Sequence, residues 1–259
     1  MAILRGFRWT AGQGFPAGAI VLAALLAPAV VHAARCDKSY QPSHQVLEQT
    51  QPLNIGQLKR QVMDYVCAGD YDRDIAKVLA DAKSFIEQRA GAVKKPALVL
   101  DIDETSLSNW VELRADDFGY IANGPCILAR QAGCGDRSWE LLARAEAIRP
   151  TVELVEAAKG KGVAVFFITG RNGDRALRGA TERNLRRAGY RGWTRLIMRD
   201  TASRKLYADE YKTRERAKIE AEGYIIIASV GDQESDLKGG HAERTFRVPN
   251  PFYLIPSKP

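Results

Sequence analysis

The chain has 259 residues, 46% apolar and 27% charged, an ordinary balance for a globular protein with a real core. That length fits one generous domain, or a core with one inserted segment, and no internal repeat or low-complexity tract interrupts it. The formal charge of +7 suits an anionic substrate or surface, but the chain lacks the interleaved basic and aromatic residues of a nucleic-acid surface.

Residues 1–33 read as a secretory signal. Arg5 and Arg8 open it, Ala17 to Leu26 is a compact apolar run, and Val31-His32-Ala33 offers a cleavage position near Ala33. The competing reading is a retained anchor, because about 18 uncharged residues can span a bilayer. Gly12, Gln13, Gly14, Pro16 and Pro28 count against it. Cleavage removes two positive charges, leaving about +5, and implies an exported protein, periplasmic or secreted. Membrane contact is expected only through this segment if it is retained.

Four cysteines follow the signal, an even number that favours disulfides in an exported chain. Cys126 and Cys134 share one Gly-rich stretch and are paired here, which leaves Cys36 with Cys67. Closing so short a loop stabilises by roughly 2–3 kcal/mol in the chain-entropy model. A zinc site is the alternative, but no His lies near Cys126 or Cys134 and their spacing is not that of a CxxC knuckle.

Residues 34–95 form an N-terminal helical segment. From Asn54 to about Arg89, apolar residues recur at helical spacing: Leu58, Val62, Tyr65 and Val66, then Ile75, Val78, Leu79, Ala82 and Phe85. Gly69-Asp70 divides them into an antiparallel pair. Residues 96–259 then change texture. Ala97 to Leu100 is a short all-apolar run, the mark of a strand buried on both faces of a parallel sheet. Val163 to Ile168, Leu196 to Met198 and Tyr224 to Val230 repeat it, and Phe246 to Val248 adds an edge. Helical stretches lie between them, Thr151 to Lys161, Arg175 to Ala188 and Thr213 to Glu222. The alternation predicts an α/β fold, a doubly wound, mainly parallel sheet. Residues 104–149 break that rhythm and read as a small inserted lid, with Trp110, Tyr120, the Cys126/Cys134 loop and a helix around Trp139. Its aromatics either stack on a substrate ring or anchor the lid. Arg171 to Arg199 carries nine arginines against two acidic residues, read as the wet face of a helix or as a surface that draws anionic esters.

Ligands of doubly wound sheets bind outside the carboxyl ends of the strands. Here those ends read Asp101-Ile102-Asp103-Glu104-Thr105, Thr169-Gly170-Arg171 and Gly231-Asp232-Gln233-Glu234-Ser235-Asp236. Carboxylates crowded at one point repel, and a hard cation such as Mg²⁺ would hold them together. A carboxylate can attack phosphorus to give an aspartyl phosphate, and a second can protonate the leaving oxygen and then activate water. Asp101 and Asp103, two apart on an extended chain and so on one face, have the spacing for those jobs. Thr169 can donate to phosphoryl oxygens, and Lys212, placed just ahead of a helix, can supply charge. Arg171 is either near the site or solvated, and Glu104 reads as a solvated or turn residue. His44 and His241 show no partner pattern.

The stretches DIDETSLSN (Asp101 to Asn109), FFITGR (Phe166 to Arg171), the segment around Lys212, and VGDQESDL (Val230 to Leu237) resemble the four motifs of the haloacid dehalogenase-like superfamily. In detail they resemble its acid phosphatase branch, which includes plant vegetative storage proteins and bacterial lipoprotein acid phosphatases. The resemblance implies a HAD-like Rossmannoid core and a phosphomonoesterase. It implies Asp101 as nucleophile and metal ligand, and Asp103 as general acid and base, its backbone carbonyl on the metal. Thr169, Gly170 and Lys212 would bind the phosphoryl group. Asp232 would ligate Mg²⁺, with Asp236 in support through water or by holding Lys212. The expected partner is a small phosphate monoester. A phosphotransferase with an alcohol acceptor shares every motif, and a non-catalytic phosphate-binding or storage protein would keep the fold without turnover.

Overall fold

The computed structural model describes residues 53–128 and 133–257. The signal segment, its cleavage position and Cys36 lie outside the described residues. The N-terminal pair is helical as the spacing predicts. Helix α1 (Ile55–Cys67) starts at Asn54, whose side chain accepts from the Gln57 N–H at 3.2 Å. Gly69 then takes φ 76°, a left-handed turn that glycine adopts without a side-chain clash, and α2 (Asp70–Arg89) follows. Tyr71, Ile75, Leu79, Ala82 and Ile86 recur along α2 every three or four residues and are all buried. This stripe packs α2 on α5 (Arg149–Gly160) and on the sheet.

The sheet has five strands, all parallel, in the order β5-β4-β1-β6-β7. They are β1 (Pro96–Leu100), β4 (Ala164–Asn172), β5 (Arg195–Arg199), β6 (Ile225–Gly231) and β7 (Arg244–Arg247). Alternation along the strands divides the apolar residues between two cores. Leu98, Leu100, Val165 and Phe167 join α2, α5 and α6 (Arg175–Arg187) on one face. Ala97, Val99, Phe166 and Ile168 join Tyr211 and Ile219 of α7 (Ala208–Ala221) on the other. Because both faces are covered, β1 has to be apolar throughout.

The segment between β1 and α5 holds a two-stranded ribbon, β2 (Leu107–Ser108) with β3 (Glu146–Ala147), and two short helices, α3 (Trp110–Ala115) and α4 (Asp136–Leu142). Cys126 and Cys134 are joined in a disulfide, their Cα atoms 3.8 Å apart. Cys67 is oxidised as well. Trp110 and Trp139 are buried: Trp110 lies 5.6 Å from the Phe252 ring and Trp139 donates its indole N–H to Asn109 Oδ1 at 2.8 Å. These two rings therefore anchor the segment, while Tyr120 is exposed. Among the described residues, no helix is long and apolar enough to cross a membrane.

One boundary differs from the sequence expectation. Helix α7 starts at Ala208, not at Thr213. The Glu210 carboxylate accepts from the Tyr207 N–H at 3.2 Å, and Asp209 and Glu210 suit the positive end of the helix dipole. Lys212 thus lies inside the helix, one turn in, not ahead of it.

Candidate active site

Parallel pairing aligns the strand ends. Leu100 lies opposite Val230 across β1 and β6, so Asp101 and Asp232 leave adjacent strands at the same level. The Asp101 N–H still reaches Val230 O at 3.0 Å. Asp236 is brought back to this level by α8 (Glu234–Leu237), the short helix after β6. A Cβ at Gly231 would overlap the Asp236 side chain, which explains the glycine at that position. Single carboxylate oxygens of Asp101, Asp232 and Asp236 lie within 4.8 Å of one another, all three residues buried. Lys212 bridges two of them, donating to Asp101 Oδ1 at 2.7 Å and to Asp236.

The charges do not cancel. One ammonium faces three carboxylates, and burial opposed by Lys212 leaves the Asp101 carboxyl well above its ordinary range. Burial, with Asp236 beside it, pushes Asp232 up to about 6, even though Asn250 and Gln233 donate to it at 2.7 and 2.5 Å and Thr105 at 3.1 Å. Three hard oxygen donors with excess negative charge are the set that holds a divalent cation. Ser235 Oγ, buried on the cleft floor without a hydrogen-bond partner among the described residues, adds an unspent polar group.

Asp103 points elsewhere. The chain leaves the strand after Leu100 and turns, with Ile102 O accepting from the N–H groups of Ser106 and Leu107 at 2.8 Å each. Its carboxylate accepts from Arg171 Nη2 at 2.5 Å, from Arg171 Nε at 3.1 Å and from Asn109 Nδ2 at 2.9 Å. Burial alone would raise this carboxyl, but Arg171 outweighs it and holds the group below the usual range. The Thr169 hydroxyl donates to Asp103 Oδ2 at 3.5 Å and accepts from the Arg171 N–H at 3.1 Å.

A cleft of about 680 Å³ opens over these groups. Asp101, Asp103, Gly170, Arg171 and Lys212 line it, whereas Thr169, Asp232 and Asp236 are buried behind its surface. Arg171 is itself buried and also lies 3.5 Å from Glu140, while Arg175, Arg183, Arg186, Arg187, Arg191 and Arg195 are exposed, the wet face that the sequence allowed.

Two supporting residues escaped the sequence reading. Glu104 lies in a turn, as one of its readings had it, but at φ 53° it is fully buried and not solvated. Its carboxylate accepts from the Asn109 N–H at 2.7 Å and from the Tyr253 hydroxyl at 2.8 Å, which fixes the turn that aims Asp103. Asn109 then joins Glu104, Asp103 and Trp139 in one hydrogen-bonded chain. Nothing local in the sequence marks Glu104; its left-handed backbone, which a non-glycine residue adopts when its surroundings enforce it, shows only in the structure.

A parallel sheet whose strand ends gather carboxylates around a buried lysine, beneath a cleft, is the architecture of a HAD-type phosphatase. The chain belongs to the HAD superfamily, subfamily IIIB (Acid phosphatase), which it matches over residues 30–256, and it is a phosphomonoesterase of that family. It is similar to the Stem 28 kDa glycoprotein of Glycine max, 31% identical over 190 residues that cover 72% of this chain and 71% of that one. It is also similar to Acid phosphatase 1 of Solanum lycopersicum, 29% identical over 196 residues, 75% and 73% of the two chains. The class C acid phosphatase from Bacillus anthracis shares the fold, with a TM-score of 0.60 at 21% identity over 76% of this chain and 86% of that one.

Proposed function

We propose that the protein is an exported, Mg²⁺-dependent acid phosphatase that hydrolyses phosphate monoesters through an aspartyl phosphate on Asp101. The observation that carries the reading is the meeting of Asp101, Asp232 and Asp236 around Lys212 at the foot of the cleft. Asp101 and Asp232, with the backbone carbonyl of Asp103, would hold Mg²⁺, which when bound offsets the carboxylates and draws charge from the phosphoryl oxygens. Asp101 Oδ attacks phosphorus in line while the ester oxygen departs with a proton from Asp103. Asp103, again a carboxylate, takes a proton from water, and that water displaces Asp101 from phosphorus. Lys212 and Gly170, which line the cleft, and Thr169, just behind its surface, would supply charge and donors to the phosphoryl group, and Asp236 keeps Lys212 in place. Arg171 suits the second step, since it holds Asp103 in its base form. Segment 104–149 serves as the lid over the alcohol part of the ester. Export is supported by the charge-poor leader and by the Cys126–Cys134 disulfide, a bond that persists in oxidising compartments.

The test is a rapid acid quench of the mature protein with radiolabelled phosphate ester and Mg²⁺. Label released by hydroxylamine and mapped to the peptide holding Asp101 is the expected result, and EDTA should abolish both label and turnover until Mg²⁺ is returned. Turnover with no label on that peptide, or undiminished by EDTA, defeats the reading.

A further inference from the structure

The far wall of the cleft is acidic, and the phosphoryl chemistry does not use it. Glu112 of α3 and Asp136 and Glu140 of α4 line it, with Phe118 and Tyr120 beside them. Glu112 is 8% exposed, yet among the described residues its carboxylate has no hydrogen bond and no cation partner. The charged groups that act on it most strongly are Asp136, Asp103, Glu104 and Asp116, all of its own sign. None of the cations that line the same cleft pairs with Glu112, and only Arg171 reaches an acidic group of this wall, at Glu140. Arg171 holds Asp103 and Glu140, Lys212 holds Asp101 and Asp236, Arg137 pairs with Asp174 at 2.8 Å, and Arg199 donates to the carbonyls of Ser203 and Leu206. A buried carboxylate without a partner is costly, and none of the described residues supplies a cation to offset it. Phe118, stacked on the Phe252 ring, and Tyr120, hydrogen-bonded to Asp136, line the same side of the pocket.

We infer that Glu112, Asp136 and Glu140 form a subsite for the leaving group, one that selects phosphate monoesters whose alcohol part carries an ammonium group. The inference rests on the phosphatase reading and names its substrate class. Phosphate would bind at Asp101 and Lys212, and the ammonium would reach across the cleft to Glu112. Burial and its acidic neighbours push Glu112 up to about 9, so below that pH it stays the neutral acid until a cation beside it favours the carboxylate. A neutral ester would leave it so.

The experiment compares kcat/KM for ω-aminoalkyl phosphates of increasing length with that for n-alkyl phosphates of equal heavy-atom count, at fixed ionic strength. A preference of at least about 10-fold for the amine at one chain length is expected, the effect of a single hydrogen bond to a charged group. Glu112→Gln should cut that preference at least about fivefold, and Asp136→Asn should cut it too. The variants decide the matter, because an ammonium on a short chain also makes its alcohol a better leaving group. Turnover of the n-alkyl series by each variant shows that it has folded, and should Glu112→Gln not fold, Asp136→Asn carries the test. Equal rates for the two series at every length, or a preference untouched by the variants, overturns the inference. Absence of turnover with either series or with a chromogenic ester overturns the phosphatase reading instead.

Discussion

The two sides of the cleft are built differently. The sheet side takes its groups from residues that leave the strands at one level: Asp101 after β1, Thr169 and Gly170 within β4, Asp232 after β6. Their positions follow from strand register, and two apolar cores hold that register. The opposite wall, residues 104–149, has two-residue strands and helices of six and seven residues, and is held by anchors: the Cys126–Cys134 disulfide, Trp110, Trp139 and the Glu104–Asn109 hydrogen bonds. In the proposed mechanism, the chemistry common to all substrates falls on the side set by strand register. The groups proposed to meet the variable part of a substrate sit on the side built from short elements, whose Leu107, Trp110, Leu113 and Trp139 join the core of one sheet face.

The largest effect expected from this division is Asp101→Asn. It keeps the side-chain shape but removes the proposed nucleophile, and kcat should fall by about 10⁴-fold or more, the scale seen when one member of a catalytic unit is lost. Steady-state kinetics on a chromogenic ester measures it, and retention of a tenth of the activity would place the chemistry elsewhere.

Next come changes in packing, where the two sides should respond unequally. Phe167 is fully buried in β4, with the Tyr190 and Trp193 rings 5.5 and 6.0 Å away. Phe167→Ala should cost about 3–5 kcal/mol in urea unfolding. Replacing Cys126 and Cys134 by Ser should cost roughly 2–3 kcal/mol, the closure entropy of a short loop. The difference should also be one of place, with new proteolytic cuts in the cysteine variant confined to the wall. A global loss as large as that of Phe167→Ala would mean that the disulfide, more than the apolar residues the wall shares with the core, holds the wall in place.

The same division decides what could be read in the sequence. Ala97 to Leu100 and Tyr224 to Val230 are local apolar runs ending in carboxylates, and a parallel sheet needs such runs, so strands, sheet class and the grouping of strand ends were legible. The i, i+2 spacing of Asp101 and Asp103 did not give their directions, because the chain turns after Leu100 and the two carboxylates find different cations. The start of α7 was hidden because Ala208-Asp209-Glu210 looks like a solvated stretch until Glu210 is seen to hold the Tyr207 N–H. Glu104, Glu112 and Glu140 were not legible at all. A glutamate in a loop-rich segment is ordinarily solvated, and these three are buried by residues distant in the chain.

The smallest effect belongs to Asp174, where the two sides touch. Its Oδ1 accepts from the N–H groups of Ala176 and Leu177 at 3.1 Å each and so caps α6, while Oδ2 accepts from Arg137 of α4 at 2.8 Å. The cap should be worth about 1 kcal/mol. The ion pair, about a third exposed at Asp174 and more so at Arg137, should add no more than a few tenths. Arg137 and then the Leu177 N–H hold the Asp174 carboxyl below its ordinary range. Because its folded value is the lower one, the charged group stabilises fully above the unfolded value of about 3.9, and that stabilisation is lost as pH falls through the folded value. The deficit of Asp174→Ala in urea unfolding should therefore be near 1 kcal/mol and level from about pH 5 upwards, then shrink in acid. Asp174→Asn keeps the cap and gives up the charge, so it should lose only the pair. If Asn cost as much as Ala, α6 would be held by the contact between the two sides and not by its own first turn.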